Sequence, residues 1–328
     1  MSKILFICPD KNDPTAFYRS SGITYDLAEQ SGHKIATISW NEVAVSWQTL
    51  SNYDLLFLQR PFTQVAVDIC IYAKSMNRPV WIDYDDNLWQ LNPENKAFHT
   101  YNDANTKEYV KQCVENADAV TVPTEYLRQI YGPYNKNTTV IPNALNTNIF
   151  RRPELRPRAK KVLWRGPESH IYDLMTYARE INRASEEFPE HEFIFMGYYP
   201  WFLSETDNKG YLPGLDIIMY YNEIFKLAPA IMQVPLHDNS FNRCRSNVAF
   251  IEATYAGAVT VCPAWWNLPF ALTYQNGEEY YESLRLALSG EVDMEKMNSE
   301  AWEYIMDCLT LSKANQKRME LIESLLSR

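Results

Sequence analysis

Short uncharged runs alternate along this chain with stretches whose apolar residues recur every three to four positions. Residues 3–8 are the first such run, and residues 18–31, ending before Gly32, carry helical spacing. Strands are predicted at 33–39, 54–59, 79–84, 118–122 and 138–142, with helices at 63–76, 105–116 and 125–131 between them. After a break the pattern restarts with a strand at 161–165, a helix over 169–187 and a strand at 191–197. Further strands at 215–220 and 230–235, a helix over 242–256 and a strand at 258–262 follow, and helix formers dominate from residue 278. Uncharged strands between helices belong to a parallel sheet covered on both faces. The expectation is an α/β protein of two doubly wound, Rossmann-like domains facing each other across a cleft. Residues 1–152 form the first domain, 153–304 the second, and 305–328 a C-terminal helix free to pack back on the first.

The break between the two arrays is basic. Residues 151–161 hold six bases and one acid, and two prolines make the run a linker. It reads either as a solvated connection or as a positive strip that receives a polyanion. The whole chain of 328 residues carries a net charge of −10, which opposes indiscriminate nucleic-acid binding. Hydrophobic residues make up 46% and charged residues 22%, a globular composition. No apolar window is long enough to span a membrane, and the N-terminus begins as a strand without a signal-peptide core. Six scattered cysteines form no Cys-x-x-Cys pair, which suits free thiols in a reducing cytoplasm and gives no zinc site. Glycine is scarce, at 10 residues, and neither Gly-x-Gly-x-x-Gly nor a Walker loop occurs, so nicotinamide dehydrogenases and P-loop enzymes lose support. Aromatic residues reach 14%, more than a core requires, and flat rings with polar edges suit sugar faces and bases.

The segment from Asn242 to Cys262 carries the most chemistry. It sets Arg243, Arg245 and Ser246 where a helix is predicted to begin, then Glu252, then Gly257. Free N–H groups and the helix dipole attract phosphate there, and the two guanidinium groups would add bidentate donors. Glu252, about 10 Å further along the helix axis, could accept hydrogen bonds from sugar hydroxyls. Phosphate at one end and a diol at the other describe a nucleotide or nucleotide-sugar; an ordinary amphipathic helix with a solvated basic start is the rival reading.

Four segments carry a family resemblance: Pro142-Asn143-Ala144, the run Trp164-Arg165-Gly166 through His170, the Arg245, Glu252 and Gly257 helix, and the closing helices. The second half resembles retaining glycosyltransferases of the GT-B fold, of the "glycosyl transferases group 1" kind. Pro14 to Arg19 and Ile82 to Trp89 are similar to a subgroup found among phage and bacterial members. The resemblance implies that Arg165 and Arg245 grip the donor diphosphate, with Gly166 beside them, and that Glu252 binds the ribose. It implies no cofactor and no metal, the donor being a nucleotide-sugar. Three departures matter. Cys244 stands where the family has a second glutamate eight residues before Glu252, so a sugar-facing role passes to His237, Asp238 and Asn239. A family lysine after Arg165 is missing, leaving His170 as the nearest polar group. Residues 9–14 replace an expected glycine pair.

Asp83-Tyr84-Asp85-Asp86 contains an Asp-x-Asp pattern, a weak metal signature at three residues. Asp85 and Asp86 read as cleft-facing carboxylates for the donor sugar or acceptor hydroxyl, with a turn or cap role as the alternative. Tyr18, Arg19 and Trp89 are the acceptor-side candidates, since an extruded base could stack on either ring. For Arg19 a surface salt bridge is the rival. The expectation is a metal-independent hexosyl- or pentosyltransferase, retaining, that uses a UDP-sugar, with GDP-sugar as an alternative. The acceptor is a hydroxymethylated base in phage DNA or, alternatively, a surface polysaccharide or lipopolysaccharide. A non-catalytic nucleotide- or glycan-binding relative is the remaining class. The oligomeric state is open, and the location expected is the cytoplasm.

Overall fold

Strand β1 (Lys3–Cys8) shows why the apolar runs are continuous: Leu5 and Ile7 enter one core, and Ile4 and Phe6 enter another on the opposite face. The structure is a computed structural model and describes residues 1–11, 13–45, 47–93, 95–152, 154–155 and 157–327. The chain divides into two compact units. The first comprises Met1–Asn146, Cys244–Ser246 and Leu309–Arg328, and the second Thr147–Arg243 and Asn247–Cys308.

In the first unit β1, β2 (Lys34–Ser39), β3 (Leu55–Gln59), β4 (Val80–Asp83), β5 (Ala119–Val122) and β6 (Thr138–Val140) form a parallel sheet in the order β2-β1-β3-β4-β5-β6. Pairing runs in register from Ile4 opposite Leu55 to Ile7 opposite Leu58. One face packs Leu5, Ile7, Leu56 and Leu58 against helices Gln64–Ser75 and Ala104–Asn116, through Ile69, Val110 and Val114. On the other face Phe6, Phe57 and Trp81 form an aromatic cluster, with the Phe6 and Phe57 centroids 4.1 Å apart. Helices Thr24–Ser31 and Leu311–Leu326 cover it with Leu27, Ile322 and Leu325. The helix expected over 18–31 is two pieces, Pro14–Arg19 and Thr24–Ser31. They are joined by a turn in which a Cβ on Gly22 would lie 2.4 Å from the Phe17 carbonyl oxygen, so that close approach needs glycine.

The second unit holds β7 (Ala159–Arg165), β8 (Glu192–Met196), β9 (Lys209–Leu212), β10 (Pro229–Gln233), β11 (Val259–Pro263) and β12 (Leu272–Tyr274). Their order is β12-β11-β10-β7-β8-β9, all parallel, so the winding direction reverses between β7 and β10. Open sheets of this kind bind ligands beyond the carboxyl ends of the strands at that reversal. The strand predicted at 215–220 is instead the start of helix Ile217–Leu227, because the Asp216 carboxylate accepts from the N–H groups of Ile218 and Met219 and caps it. The helix predicted over 169–187 breaks into a 3-10 turn at Glu168–His170 and helices Ile171–Thr176 and Ala178–Glu187. That predicted over 242–256 is also shorter. A 3-10 turn spans Asn242–Cys244, and the α-helix runs from Val248 to Ala256. Among the described residues no helix is long and apolar enough to cross a membrane.

Candidate functional site

Helix Val248–Ala256 is buried on all sides from Ala249 onward, so Glu252 stands on a core helix with 3% of its surface exposed. A carboxylate in such a place requires partners. Arg165, the last residue of β7, supplies two contacts to its Oε2, from Nε at 2.8 Å and Nη2 at 2.7 Å. The Tyr220 hydroxyl donates to the same oxygen at 2.9 Å. Burial, with the Glu252 charge beside it, pushes the Tyr220 hydroxyl well above its ordinary pKa and keeps it a neutral donor. Glu252 lies about 6 Å along the axis from the true helix start, one turn and not two.

A hollow opens at the carboxyl ends of β7 and β10, lined among others by Trp164, Arg165, His170, Gln233 and Ala249. Gly166 follows β7, and Gly197, at φ 97°, follows β8; a Cβ on Gly197 would lie 2.6 Å from the Gly166 carbonyl oxygen. His170 Nδ1 lies 2.8 Å from Asp173 Oδ2. The other Asp173 oxygen accepts from the His237 backbone N–H at 2.9 Å and the Asn242 side-chain amide at 2.6 Å. Asp173 thus orients an imidazole and pins the 237–242 loop at once, a role for which its three-residue spacing from His170 was the one available signal. Asn239 Oδ1 accepts from the Asn242 N–H at 2.8 Å, which tightens the same loop.

The arginines expected at the helix start are placed elsewhere. Arg243 forms an open bidentate pair with Asp238, at 2.6 and 2.8 Å, and this bonding holds the Asp238 carboxyl below its usual pKa. Arg245 and Ser246 belong to the first unit. There Arg245 Nη1 lies 3.2 Å from Asp86 Oδ1, Asn143 donates to Ser246 Oγ at 2.7 Å, and the Thr124 hydroxyl donates to the Cys244 carbonyl at 3.3 Å. Cys244 itself is buried in the first unit's core, its thiol pushed up by burial and by the Asp86 charge. The physical reason is that Asn242, bound by Asp173 and the His237 carbonyl, holds a 3-10 turn that delays the helix to Val248.

Asp85 and Asp86 follow β4 and share Arg60, which follows β3. Arg60 bonds both Asp85 oxygens, Nη2 reaching Oδ2 at 2.6 Å, and its Nη2 lies 3.2 Å from Asp86 Oδ2. Burial works to lower the Arg60 pKa, but the two carboxylates outweigh it and leave it raised. Arg60 sits at φ 49°, in the left-handed region that side-chain-bearing residues rarely adopt. Sequence reasoning missed it, although its place directly after a strand near the first sheet's reversal was a usable signal.

The acceptor-side candidates are corrected by their surroundings. Arg19 is 1% exposed and makes no surface salt bridge. It binds Asp83 through Nε at 3.0 Å and Nη2 at 2.6 Å, and donates to the Ile141 carbonyl at 2.6 Å. Asp83 also accepts from the Thr121 hydroxyl at 2.6 Å, so protein donors occupy both its oxygens and it anchors the interior of the first unit. Tyr18 is buried, with no face open for stacking. Trp89 is half-buried, packs against Tyr131 and Tyr134 at 4.8 and 5.0 Å, and donates to the Lys107 carbonyl.

Two arginines of the basic run are engaged, while Arg151 and Lys160 are exposed; Pro153 and Arg156 lie outside the described residues. Arg158 donates to the carbonyls of Gly257 at 2.7 Å and Met294 at 2.9 Å. Arg152 bonds Asn298 and lies over the Trp302 ring at 4.5 Å, with its pKa lowered to about 10 by burial and by Arg158. Arg158 thus clamps the second unit's own backbone and Arg152 its Asn298 and Trp302 side chains, so neither is free for a polyanion.

No protein-family model and no curated protein matches the chain. Solved structures do match in fold. An alpha-glucosyltransferase in complex with UDP and a 13-mer DNA containing a HMU base is 10% identical, covers 100% of both chains and gives a TM-score of 0.63. A UDP-forming trehalose-phosphate synthase from Burkholderia xenovorans is 12% identical over 100% of this chain and 99% of its own, with a TM-score of 0.60. A UDP-GlcNAc 2-epimerase from Neisseria meningitidis, bound to UDP-GlcNAc, is 12% identical over 99% of this chain and 100% of its own, at 0.57. At these identities the likeness shows architecture, and the chain has the α/β fold of two Rossmann-like domains seen in GT-B glycosyltransferases and UDP-sugar epimerases.

Proposed function

We propose that this chain is a glycosyltransferase that takes its sugar from a UDP-sugar, with retention and without a metal ion. The observation that carries the reading is the Arg165, Glu252 and Tyr220 assembly at the strand reversal of the second sheet. A departing diphosphate gains negative charge, and a fixed guanidinium stabilises it without reorganisation. Glu252 is suited to a ribose diol, and His170, held by Asp173, to a phosphate or sugar hydroxyl. Gly166 brings backbone close to the hollow; His237, Asp238, Asn239 and Arg243 line the loop assigned to the donor sugar. Arg245 is paired with Asp86 in this state, so a part for it in phosphate binding requires that pair to open. In the first unit Asp85 and Asp86 are the carboxylates assigned to the acceptor hydroxyl.

The acceptor proposed is a hydroxymethylated base in DNA, supported by the fold neighbour bound to UDP and HMU-containing DNA. A surface glycan is the other acceptor class. A second reading, interconversion of UDP-sugar epimers, is favoured by the neighbour bound to UDP-GlcNAc. Incubation with UDP-glucose or UDP-GlcNAc and hydroxymethylated DNA, read by mass spectrometry of nucleosides and chromatography of the sugar nucleotide, separates these. A hexosylated nucleoside supports the proposal. An epimer without transfer supports the second reading, and binding without any product reduces the protein to a nucleotide binder. Unchanged turnover in excess chelator supports metal independence.

A further inference from the structure

Gln233 closes β10 at the strand reversal, is 1% exposed, and lines the hollow together with Arg165 and His170. Its Oε1 accepts from the Tyr280 hydroxyl. Tyr280 is fully buried, and burial pushes its pKa well above the ordinary value, so its hydroxyl keeps its proton and acts as donor. With that bond made to Oε1, Nε2 turns away from Tyr280. Nε2 is buried and has no hydrogen-bond partner in the protein. Buried donors without partners are rare in folded proteins, and each calls for an explanation.

We infer that the Gln233 amide is a specificity determinant of this site, its Nε2 donating to an acceptor oxygen of the bound nucleotide. The inference rests on the reading of the second unit as a nucleotide-sugar site. The chemistry follows from the pairing of groups. Arg165 brings a cation to the end of β7, and β10 is hydrogen-bonded directly to β7. A neutral donor fixed beside a cation selects an oxygen with lone pairs and rejects an N–H or NH₂ in the same place, because two donors would then oppose each other in a buried setting. The oxygen can be phosphoryl or a carbonyl of the base, and both belong to a uridine diphosphate. Tyr280 acts through Gln233 and is a positioning residue.

The test is calorimetric titration of the full chain with UDP, CDP, uridine and pyrophosphate, for the wild type and for Gln233→Glu, Tyr280→Phe, Gln233→Met combined with Tyr280→Phe, and Arg165→Ala. Gln233→Glu replaces the donor by an acceptor of the same shape and should weaken UDP at least about tenfold, or ~1.4 kcal/mol. Gln233→Met, made together with Tyr280→Phe so that no buried hydroxyl is left unpaired, removes the donor and should weaken UDP beyond Tyr280→Phe alone at a similar Tm, a split that a merely structural role would not give. If Gln233→Glu does not fold, the double variant carries the test. A loss shared by UDP, CDP and pyrophosphate but not uridine places the oxygen on phosphate. A loss confined to UDP and uridine, with UDP preferred over CDP, places it on the base; Tyr280→Phe should then narrow that preference. Wild-type UDP affinity in both Gln233 variants, with Arg165→Ala impaired, overturns the role of Gln233 alone. A wild-type chain that binds none of the four probes overturns the nucleotide reading and this inference with it.

Discussion

Arg165 and Tyr220 converge on a single oxygen of Glu252, the guanidinium at 2.7 Å and the phenol at 2.9 Å. A buried carboxylate with one cation and one neutral donor on the same atom has its charge offset and its direction fixed. Replacing Glu252 by Gln removes the anion and releases Arg165, and nucleotide binding should weaken at least about tenfold, ~1.4 kcal/mol, by calorimetry with UDP. Tyr220→Phe should cost less, about 0.5–1.5 kcal/mol of stability, because it removes one neutral hydrogen bond. Full UDP affinity in Glu252→Gln would remove this carboxylate from the donor site.

Asp83→Asn should destabilise the first unit by about 3–5 kcal/mol, the usual penalty for breaking a buried ion pair from one side. Arg19 would be left in the core without its carboxylate. Arg318 is buried nearby, its pKa lowered to about 9 by burial and then by Arg19, with Asp83 opposing that shift. Urea denaturation measures the loss. The double variant Arg19→Met with Asp83→Asn should recover part of it, since no unpaired Arg19 charge then remains.

His191 makes acid stability a defined test. Burial lowers its pKa below the ordinary 6.5, with Glu190 opposing and Lys160 adding to the shift. A base with a depressed folded pKa binds fewer protons folded than unfolded. Its stabilising contribution is therefore complete above about pH 6.5 and is lost as pH falls through the lower folded value. Denaturation midpoints of His191→Gln and wild type, compared from pH 7.5 to 5, should diverge less as the pH falls. Parallel curves would show that His191 does not titrate differently on folding.

Arg158→Ala should lower stability by about 2 kcal/mol, because two backbone carbonyls lose a charged donor. DNA affinity, read by filter binding at low salt, should not change. A large fall in DNA binding with unchanged Tm would restore the basic run as a polyanion contact.

The parallel sheets were readable because their strands are buried on both faces and so lack charge. What misled is equally specific. Ile217 to Tyr221 is an apolar run that periodicity cannot divide between strand and helix, and only the Asp216 cap decides it. Lys209–Leu212, an edge strand with Tyr211 exposed, and the three-residue Leu272–Tyr274 carry too little apolar signal to be seen. Glu252 could be proposed from its place on a helix, and Arg165 from the family resemblance. Arg60 carried the signal of following a strand and was passed over, whereas Asp173 and Gln233 gain their significance from contacts at sequence separations of 69 and 47 residues.

Helix Leu311–Leu326 contributes Leu311, Ile322 and Leu325 to the core around Phe6 and Trp81, and Leu309 and Thr310 run beside Leu145. The first unit is thus assembled from segments that lie on either side of the second unit in the sequence. While the ribosome is still working, the second unit can close on sequence already available, but the first must wait with an aromatic sheet face partly uncovered. Until helix Leu311–Leu326 is made, the nascent chain presents Phe6, Phe57 and Trp81 to aggregation, and removal of residues 311–326 would leave that face covered by helix Thr24–Ser31 alone.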